Sequence, residues 1–371
     1  LGQRIKEIED EGIRELFVCL FSGTLEFNNM FASYKGEGTG AVRHMFSHHI
    51  LKPERTPLEA NLWGTPKSSG AFSTLFESRI LRALEYCDNP FEQRVIDKGG
   101  RSGGEKLFGL SEPIGAEAVV DYKAFKKGAQ LYLSCGDSSQ TDIAAESVDS
   151  VITDPPFFDN VHYSELADFF HVWQRHLLGG EPGVELMTTR AIGEVQHTEP
   201  EHFTDRLGKV WKECHRVLKK DGLLVFSYHH SRPDGWRSIL EALMLASFEI
   251  VATHPIKGEM SGATPKHQAK EPIDLDVIVV CRKRSLRATA TLKAGVLAAA
   301  ISDAERQVER LRQSSRALSR NDLKVVVMAQ MLRGLSSCAS PGEAVSFLDS
   351  CQSELEAAIE RMNVDDKRVV A

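Results

Sequence analysis

Apolar residues recur along this chain at two different periods, and the changes of period divide it into elements. Ala129-Gln130-Leu131-Tyr132-Leu133-Ser134-Cys135 alternates as a strand does, and Val148-Asp149-Ser150-Val151-Ile152-Thr153 forms a second short apolar run. Gly222 to Tyr228 reads as a buried strand after a Lys-Lys-Asp-Gly turn. Phe248 to His254 and Asp276 to Cys281 read as two closing strands, joined by the polar loop Lys257 to Lys270. Between these runs the period lengthens to that of a helix. Leu166, Phe169, Phe170, Trp173 and Leu177 share one face, and Phe203, Leu207, Val210, Trp211, Cys214 and Val217 share another. Trp236, Ile239, Leu240, Leu243 and Met244 form a third. Strand, helix, strand is therefore the repeating unit over residues 111–285. It predicts an α/β core with a parallel sheet covered on both faces and ligands at the carboxyl ends of the strands.

The flanks read differently. Ile13, Leu16, Phe17, Leu20 and Phe21 recur at helical spacing, so a helix is expected there. From Tyr34 to Phe76 the chain is rich in Gly, Ser, Thr and Pro, with Lys35-Gly-Glu-Gly-Thr-Gly40 and Gly64-Thr-Pro-Lys-Ser-Ser-Gly70. Neither run ends in the Gly-Lys-Ser/Thr of a nucleotide loop, so a long ordered loop over the site is expected. Asp97 to Gly104 reads as a flexible linker. Residues 1–110 thus form a helical, loop-rich segment, and residues 286–371 a helical C-terminal region. In the latter, Ile301, Ala304, Val308 and Leu311 form a stripe, and the capping sequence Ser340-Pro-Gly-Glu343 opens a helix that buries Val345, Leu348, Leu355 and Ile359.

The chemistry concentrates where one strand runs into Asp154-Pro155-Pro156-Phe157. Each proline fixes its φ and removes an N–H, and Pro156 keeps Pro155 out of the helical region, so the chain leaves the strand extended with a carbonyl to offer. An exocyclic amino group on a nucleobase has two N–H bonds. The Asp154 carboxylate and the Pro155 carbonyl supply one acceptor each, and Phe157 can stack on the base. A base held this way must be turned out of its helix, at a cost of a few kcal/mol. The same four residues also occur in ordinary turns. Upstream, Gly136-Asp137 places a second carboxylate at a strand end, suited to a nucleoside hydroxyl or amino group.

Strand-Gly-Asp, strand-Asp-Pro-Pro-Phe, two helix–strand units and a closing strand pair together resemble the second half of an S-adenosylmethionine-dependent amino-methyltransferase. More closely, the run Asp154-Pro-Pro-Phe-Phe-Asp-Asn-Val-His-Tyr-Ser-Glu-Leu-Ala-Asp-Phe-Phe170 is similar to the large adenine-specific DNA methylases that carry a domain of unknown function near their N-terminus. Phe21-Ser-Gly-Thr-Leu-Glu-Phe-Asn-Asn29 and the Trp63-Gly64 region resemble the part of those proteins that precedes the motif, so the similarity spans roughly residues 1–285. The resemblance implies a Rossmann-like sheet and transfer of a methyl group from S-adenosylmethionine to N6 of a flipped adenine in double-stranded DNA. It makes Asp154, Pro155, Pro156 and Phe157 catalytic and places Gly136, Asp137 and Asp154 at the cofactor. Phe158, Asn160 and Tyr163 stand where they could touch the nucleotide, with core packing as the alternative for Phe158. RNA amines are served by similar motifs, and a catalytically incomplete nucleic-acid-binding subunit is a further alternative. The resemblance also implies a role in host modification or phage defence.

One part of the family pattern is missing. Its Gly-rich Phe-x-Gly-x-Gly turn, which holds the methionine end of the cofactor, has no close copy. Phe21-Ser22-Gly23-Thr24 is the nearest, and would serve only in a circularly permuted enzyme with a strand where the spacing favours a helix. The first cofactor strands are therefore expected outside this sequence, so that a partner or a preceding segment completes the cofactor site. The loop-rich segment before the motif is then a candidate DNA-recognition insertion.

Composition narrows the classes. With 371 residues, 42% hydrophobic and 26% charged, the chain can build a large core, and it lacks an apolar run of membrane-spanning length. Its seven cysteines show no Cys-x-x-Cys pairing, which points to buried free thiols in a reducing, cytoplasmic compartment and away from zinc. His48-His49 and His229-His230 lack a third ligand, so no metal is expected. The formal net charge of −7 leaves phosphate contacts to local stripes: Lys52, Arg55 and Lys67, or Lys257, Lys266, His267 and Lys270. The basic residues between Arg206 and Lys220 read as a solvated helix face.

Overall fold

A computed structural model of the protein describes residues 1–34, 42–47, 50–64, 70–97, 102–110, 115–126, 128, 130–179, 185–258, 273–284, 295–314, 316–338 and 340–369. The chain forms two compact units, one of residues 1–133 with 162–191, the other of residues 134–161 with 192–371. This division cuts across the three consecutive segments expected from the sequence. The Lys35–Gly40 run, His48-His49, Lys67, Lys266, His267 and Lys270 lie outside the described residues.

In the first unit, α1 (Gly2–Lys6) and α2 (Glu11–Leu25) precede α5 (Tyr163–Leu177) in one small helical cluster. Asp10 caps α2 by accepting from the Ile13 N–H at 2.9 Å, which satisfies one of the donors a helix start leaves unpaired. The helix expected around Ile13–Phe21 is thus present, and Phe21-Ser22-Gly23-Thr24 lies inside it. A cofactor turn at that place, the permuted alternative, is overturned by the helical backbone. Ile5, Val18, Phe21, Leu25 and Leu177 close a core against Phe169 and Phe170. The stripe on α5 is therefore covered by helices of its own unit and does not cover a sheet, contrary to the expected strand–helix–strand unit.

The rest of this unit is made of short pieces. β1 (Ser33–Tyr34) pairs antiparallel with β2 (Val42–Arg43). α3 (Phe72–Leu75) runs through a π-helical stretch, Phe76–Leu81, into α4 (Arg82–Asp88). β3 (Phe91–Asp97) and β4 (Ser102–Phe108) form an antiparallel ladder with Asp97 opposite Ser102. Asp97 and Ser102 to Gly104 are paired strand residues, so the expected linker is corrected at both of its ends, and residues 98–101 lie outside the described residues. β5 (Glu117–Val119) and β6 (Gln130–Tyr132) pair in parallel. The strand expected over 129–135 is shorter than its alternation suggested and belongs to this two-stranded sheet.

The second unit is built on a four-stranded sheet in the order β7 (Val148–Thr153), β8 (Leu218–Tyr228), β10 (Leu275–Lys283), β9 (Phe248–Lys257). β7 and β8 are parallel, whereas β10 is antiparallel to both β8 and β9. The parallel sheet expected from the strand–helix alternation is thereby corrected to a mixed one. β10 takes its place between β8 and β9 and runs against both, with Val277 opposite Tyr228 on one side and Pro255 on the other. The Lys-Lys-Asp-Gly turn sits within β8 as an irregularity, between the pairs Val148↔Leu218 and Ser150↔Leu223. A Cβ at Gly222 would stand 3.1 Å from the Asp149 and Lys219 carbonyls, tighter than side chains ordinarily pack, so the irregularity favours glycine there.

Helices α6 (Pro200–Val217) and α7 (Pro233–Leu245) bury the predicted faces, with Phe203, Trp211, Leu240 and Leu243 fully enclosed. The C-terminal helices join the same core. α8 (Val296–Gln313) buries Ala304 and Val308 as expected, but α9 (Arg320–Leu335) went unread because Val325-Val326-Val327-Met328-Ala329 has no amphipathic period. A helix that is apolar nearly all round belongs inside. Asp322 anchors it: its buried carboxylate accepts from the N–H groups of Asp274 (2.7 Å), Leu275 (2.9 Å) and Ser319 (2.9 Å). The helix expected from Ser340 is in fact two, α10 (Pro341–Ser350) and α11 (Gln352–Val369), and Leu355 and Ile359 lie on the second. Ser340 caps α10 by accepting from Glu343 N–H.

No helix among the described residues is long and apolar enough to cross a membrane. The cysteines are all free. Cys281, Cys338 and Cys351 are buried, but Cys19, Cys87 and Cys135 are exposed, so the expectation of buried thiols is corrected for these three.

Candidate functional site

β7 ends where its pairing with β8 ends, at Thr153 opposite Phe226, and Asp154 is the first residue beyond the ladder. Being the edge strand of a parallel pair, β7 is poorly covered: Ile152 is 80% exposed. The four residues that follow are graded in burial. Asp154 is exposed, Pro155 buried, and Pro156 and Phe157 half-buried. The prolines thus anchor the turn while the carboxylate stays accessible. Asp154 accepts a hydrogen bond from the Ser227 hydroxyl, on the neighbouring strand.

Phe157 meets two rings of β8's end, Tyr228 edge-on at 5.6 Å and His229 at 4.6 Å between centroids. The next residue turns the other way. Phe158 has φ of +56°, a conformation that a bulky side chain adopts only under constraint, and is 1% exposed. Its ring packs edge-on against Phe203 (5.3 Å) and His230 (5.6 Å), with the Arg232 guanidinium 5.5 Å from its centroid. Phe158 is therefore a core residue that fixes the turn. The Asn160 N–H closes the turn on the Phe157 carbonyl at 3.1 Å, and Asn160 itself is exposed. Tyr163 opens α5, 49% exposed, and belongs to the first unit.

Side chains to which the sequence assigned no role at this turn surround it. Asp159 pairs with Arg232 and lies 3.6 Å from His230 Nε2. His230 is buried, and desolvation, ahead of the opposing pull of its hydrogen bond and Asp159, lowers its pKa. His229 Nδ1 is bonded to Asp276 Oδ1, and a Cβ on Gly258 would come within 2.8 Å of that carboxylate's other oxygen. The Tyr228 hydroxyl is buried without a hydrogen-bond partner among the described residues, and burial raises its pKa well above the ordinary value. Trp236 Nε1 donates to the His230 carbonyl at 2.8 Å, and Gly235 leaves room for the His230 ring, which a Cβ would meet at 2.6 Å. Ser227 lies on β8 and His229 directly follows its last residue, Tyr228, so both come to the turn from one strand end. Asp276 could not be found from such proximity, since it comes from 47 residues further along.

Gly136 and Asp137 are not brought to a strand end of this sheet, because the strand before them belongs to the β5–β6 pair. Asp137 is fully exposed and its carboxylate accepts from the Ser139 N–H at 2.8 Å, the bond that chiefly lowers its pKa. A Cβ on Gly136 would meet nothing within 4 Å. An open turn with its acid already engaged is no cradle for a cofactor, so these residues as placed do not fit S-adenosylmethionine. Nearby, Thr141 ties the same loop to α6 through Glu213. Hydrogen bonds from Arg216, ahead of burial and Thr141, hold Glu213 down at about 2.

Among the described residues no group of three or more His, Cys, Asp or Glu side chains could hold a metal ion. Of the candidate phosphate contacts, Lys52, Arg55 and Lys257 are exposed. On α6, Lys209 pairs with Asp205 and Arg216 with Glu213, and at the start of β8 Lys219 pairs with Asp149, which leaves a largely neutralised face. No protein-family model, curated protein or solved structure matches the chain.

Proposed function

We propose that Asp154 to Phe157 hold the exocyclic amino group of a nucleobase turned out of its helix, and that the chain carries the amine-binding part of an S-adenosylmethionine-dependent adenine-N6 DNA methyltransferase. The observation that carries this reading is the exposed Asp154 carboxylate just past the end of β7, oriented by Ser227 and followed by a turn that the buried Pro155 and Phe158 fix. Asp154 accepts one N–H of the amine, the Pro155 carbonyl accepts the other, and Phe157 stacks on the base. With both N–H bonds engaged, the nitrogen lone pair points away from them. Positioning and electrostatics then do most of the catalytic work. The methyl donor, when bound, supplies an electrophilic sulfonium methyl. No role toward it is assigned to Gly136 or Asp137. The mixed sheet with its closing pair β9–β10 is compatible with the resemblance, and the proposal places the protein in the cytoplasm, in DNA modification.

The exposed edge at Ile152 and the open turn at Gly136 favour a second reading, a nucleic-acid-binding subunit whose cofactor site another chain completes. Transfer of tritiated methyl from S-adenosylmethionine to DNA and to RNA separates the readings. We expect N6-methyladenine in DNA, lost in Asp154→Ala. Transfer to RNA alone would move the substrate class, nucleic-acid binding without transfer would favour the subunit, and transfer that survives Asp154→Ala would overturn the site.

A further inference from the structure

The first unit carries an aromatic cavity with cationic residues at its rim, independent of the Asp154 turn. The π-helical stretch with α4 and the β3–β4 hairpin line a cavity of about 490 Å³, within the range of small-ligand pockets. Its aromatic wall is continuous. Tyr86 meets Phe91 edge-on at 5.2 Å, and Phe91 meets its cross-strand partner Phe108 at 5.6 Å. Tyr86 is 46% and Phe108 53% exposed, so the wall is not part of a core. Its rim is cationic: Arg82 and Lys106 line the cavity with Arg79, which is paired with Glu26 at 3.9 Å, and Glu85 is the carboxylate among the lining residues; Lys106 Nζ stands 4.1 Å from the Phe91 centroid.

Exposed rings give sequence-tolerant stacking surfaces for bases, and cations at the rim meet the phosphates that connect them. Charge complementarity excludes a basic or purely apolar occupant. An acidic peptide would engage the cations but leave the rings unstacked. We propose that this pocket binds a base and flanking phosphates of single-stranded nucleic acid, as a docking site separate from the Asp154 turn.

Fluorescence anisotropy with a labelled oligodeoxythymidine tests this on the full chain, because thymine has no exocyclic amine and cannot use the Asp154 site. We expect Phe108→Ala and Tyr86→Ala each to weaken binding by about 5- to 100-fold. Lys106→Glu should weaken it as well, and flatten the dependence of log affinity on log salt by about 0.7 per lost phosphate contact. Asp154→Ala should leave it unchanged, so failure of this pocket and failure of the amine site are distinguishable. Circular dichroism checks that each variant is folded. The pocket reading is overturned by absence of oligodeoxythymidine binding, by unaltered affinity in both Phe108→Ala and Lys106→Glu, or by preference for polyglutamate over the oligonucleotide.

Discussion

The two units place their apolar residues in contrasting ways. In the second, one continuous core runs from Phe158 through the sheet to Met362, and α9 is enclosed on nearly all sides. In the first, two small clusters hold the helices together, while Trp63, Val95 and Phe108 are mostly exposed. The difference teaches where rigidity and where adaptability reside. Asp154 to Phe157 follow the edge strand of the packed sheet, and the buried Pro155 and Phe158 fix their turn, the rigidity that the proposed holding of a planar amine calls for. Exposed rings on a two-stranded hairpin have little core beneath them. They suit a partner that brings its own stacking surface.

This contrast can be broken by substitution. The largest effect is expected in the second unit's core: Phe248→Ala removes a fully buried ring packed against His215, and should lower stability by about 3–5 kcal/mol in chemical denaturation. A loss below about 1 kcal/mol would show that the core is looser than its packing indicates. Next is the acid response. Glu213 sits at about 2 in the folded protein, below its ordinary 4.5, chiefly through Arg216. The stabilisation it contributes is fully present above about pH 4.5 and is lost as pH falls toward 2. Glu213→Gln should therefore cost on the order of 1–3 kcal/mol near neutrality and flatten the acid limb of the stability curve. An unchanged acid limb would remove this tie between α6 and the loop at Thr141. The smallest effect is expected at the sheet's edge. Ile152→Lys, at a position 80% exposed, should change stability by less than about 0.5 kcal/mol. A large loss would show that something covers β7 in solution, which would favour the subunit reading.

The sequence disclosed elements whose period is clean and missed those whose period is not. The faces of α6 and α7 were legible because one apolar stripe meets one sheet. The α5 stripe was equally legible, but a stripe does not say what covers it, and α1 and α2 do so here. α9 was hidden because full burial erases periodicity, and β3–β4 because glycines at Gly103 and Gly104 read as a linker while the ladder pairs them. Of the candidate site, Asp154 to Phe157 were found through the conformational limits of proline, which act locally. Ser227, His229 and Asp276 were not, since β8 and β10 bring them to the turn only through tertiary pairing. Asp137 was misplaced for the same reason: alternation marked a strand but not which sheet it joins.

The proposed amine site can be examined without any methyl donor. Single-stranded oligonucleotides carrying one adenine, or purine in its place, differ only in the exocyclic amino group, and their affinities for the chain isolate its recognition. We expect tighter binding of the adenine oligonucleotide by about tenfold, from charge-assisted hydrogen bonds worth about 1.5–3 kcal/mol less the lost hydration. That preference should vanish in Asp154→Ala. Equal affinity of the unaltered protein for both oligonucleotides, or a preference that persists without the Asp154 carboxylate, would contradict the assignment of Asp154 to the amine.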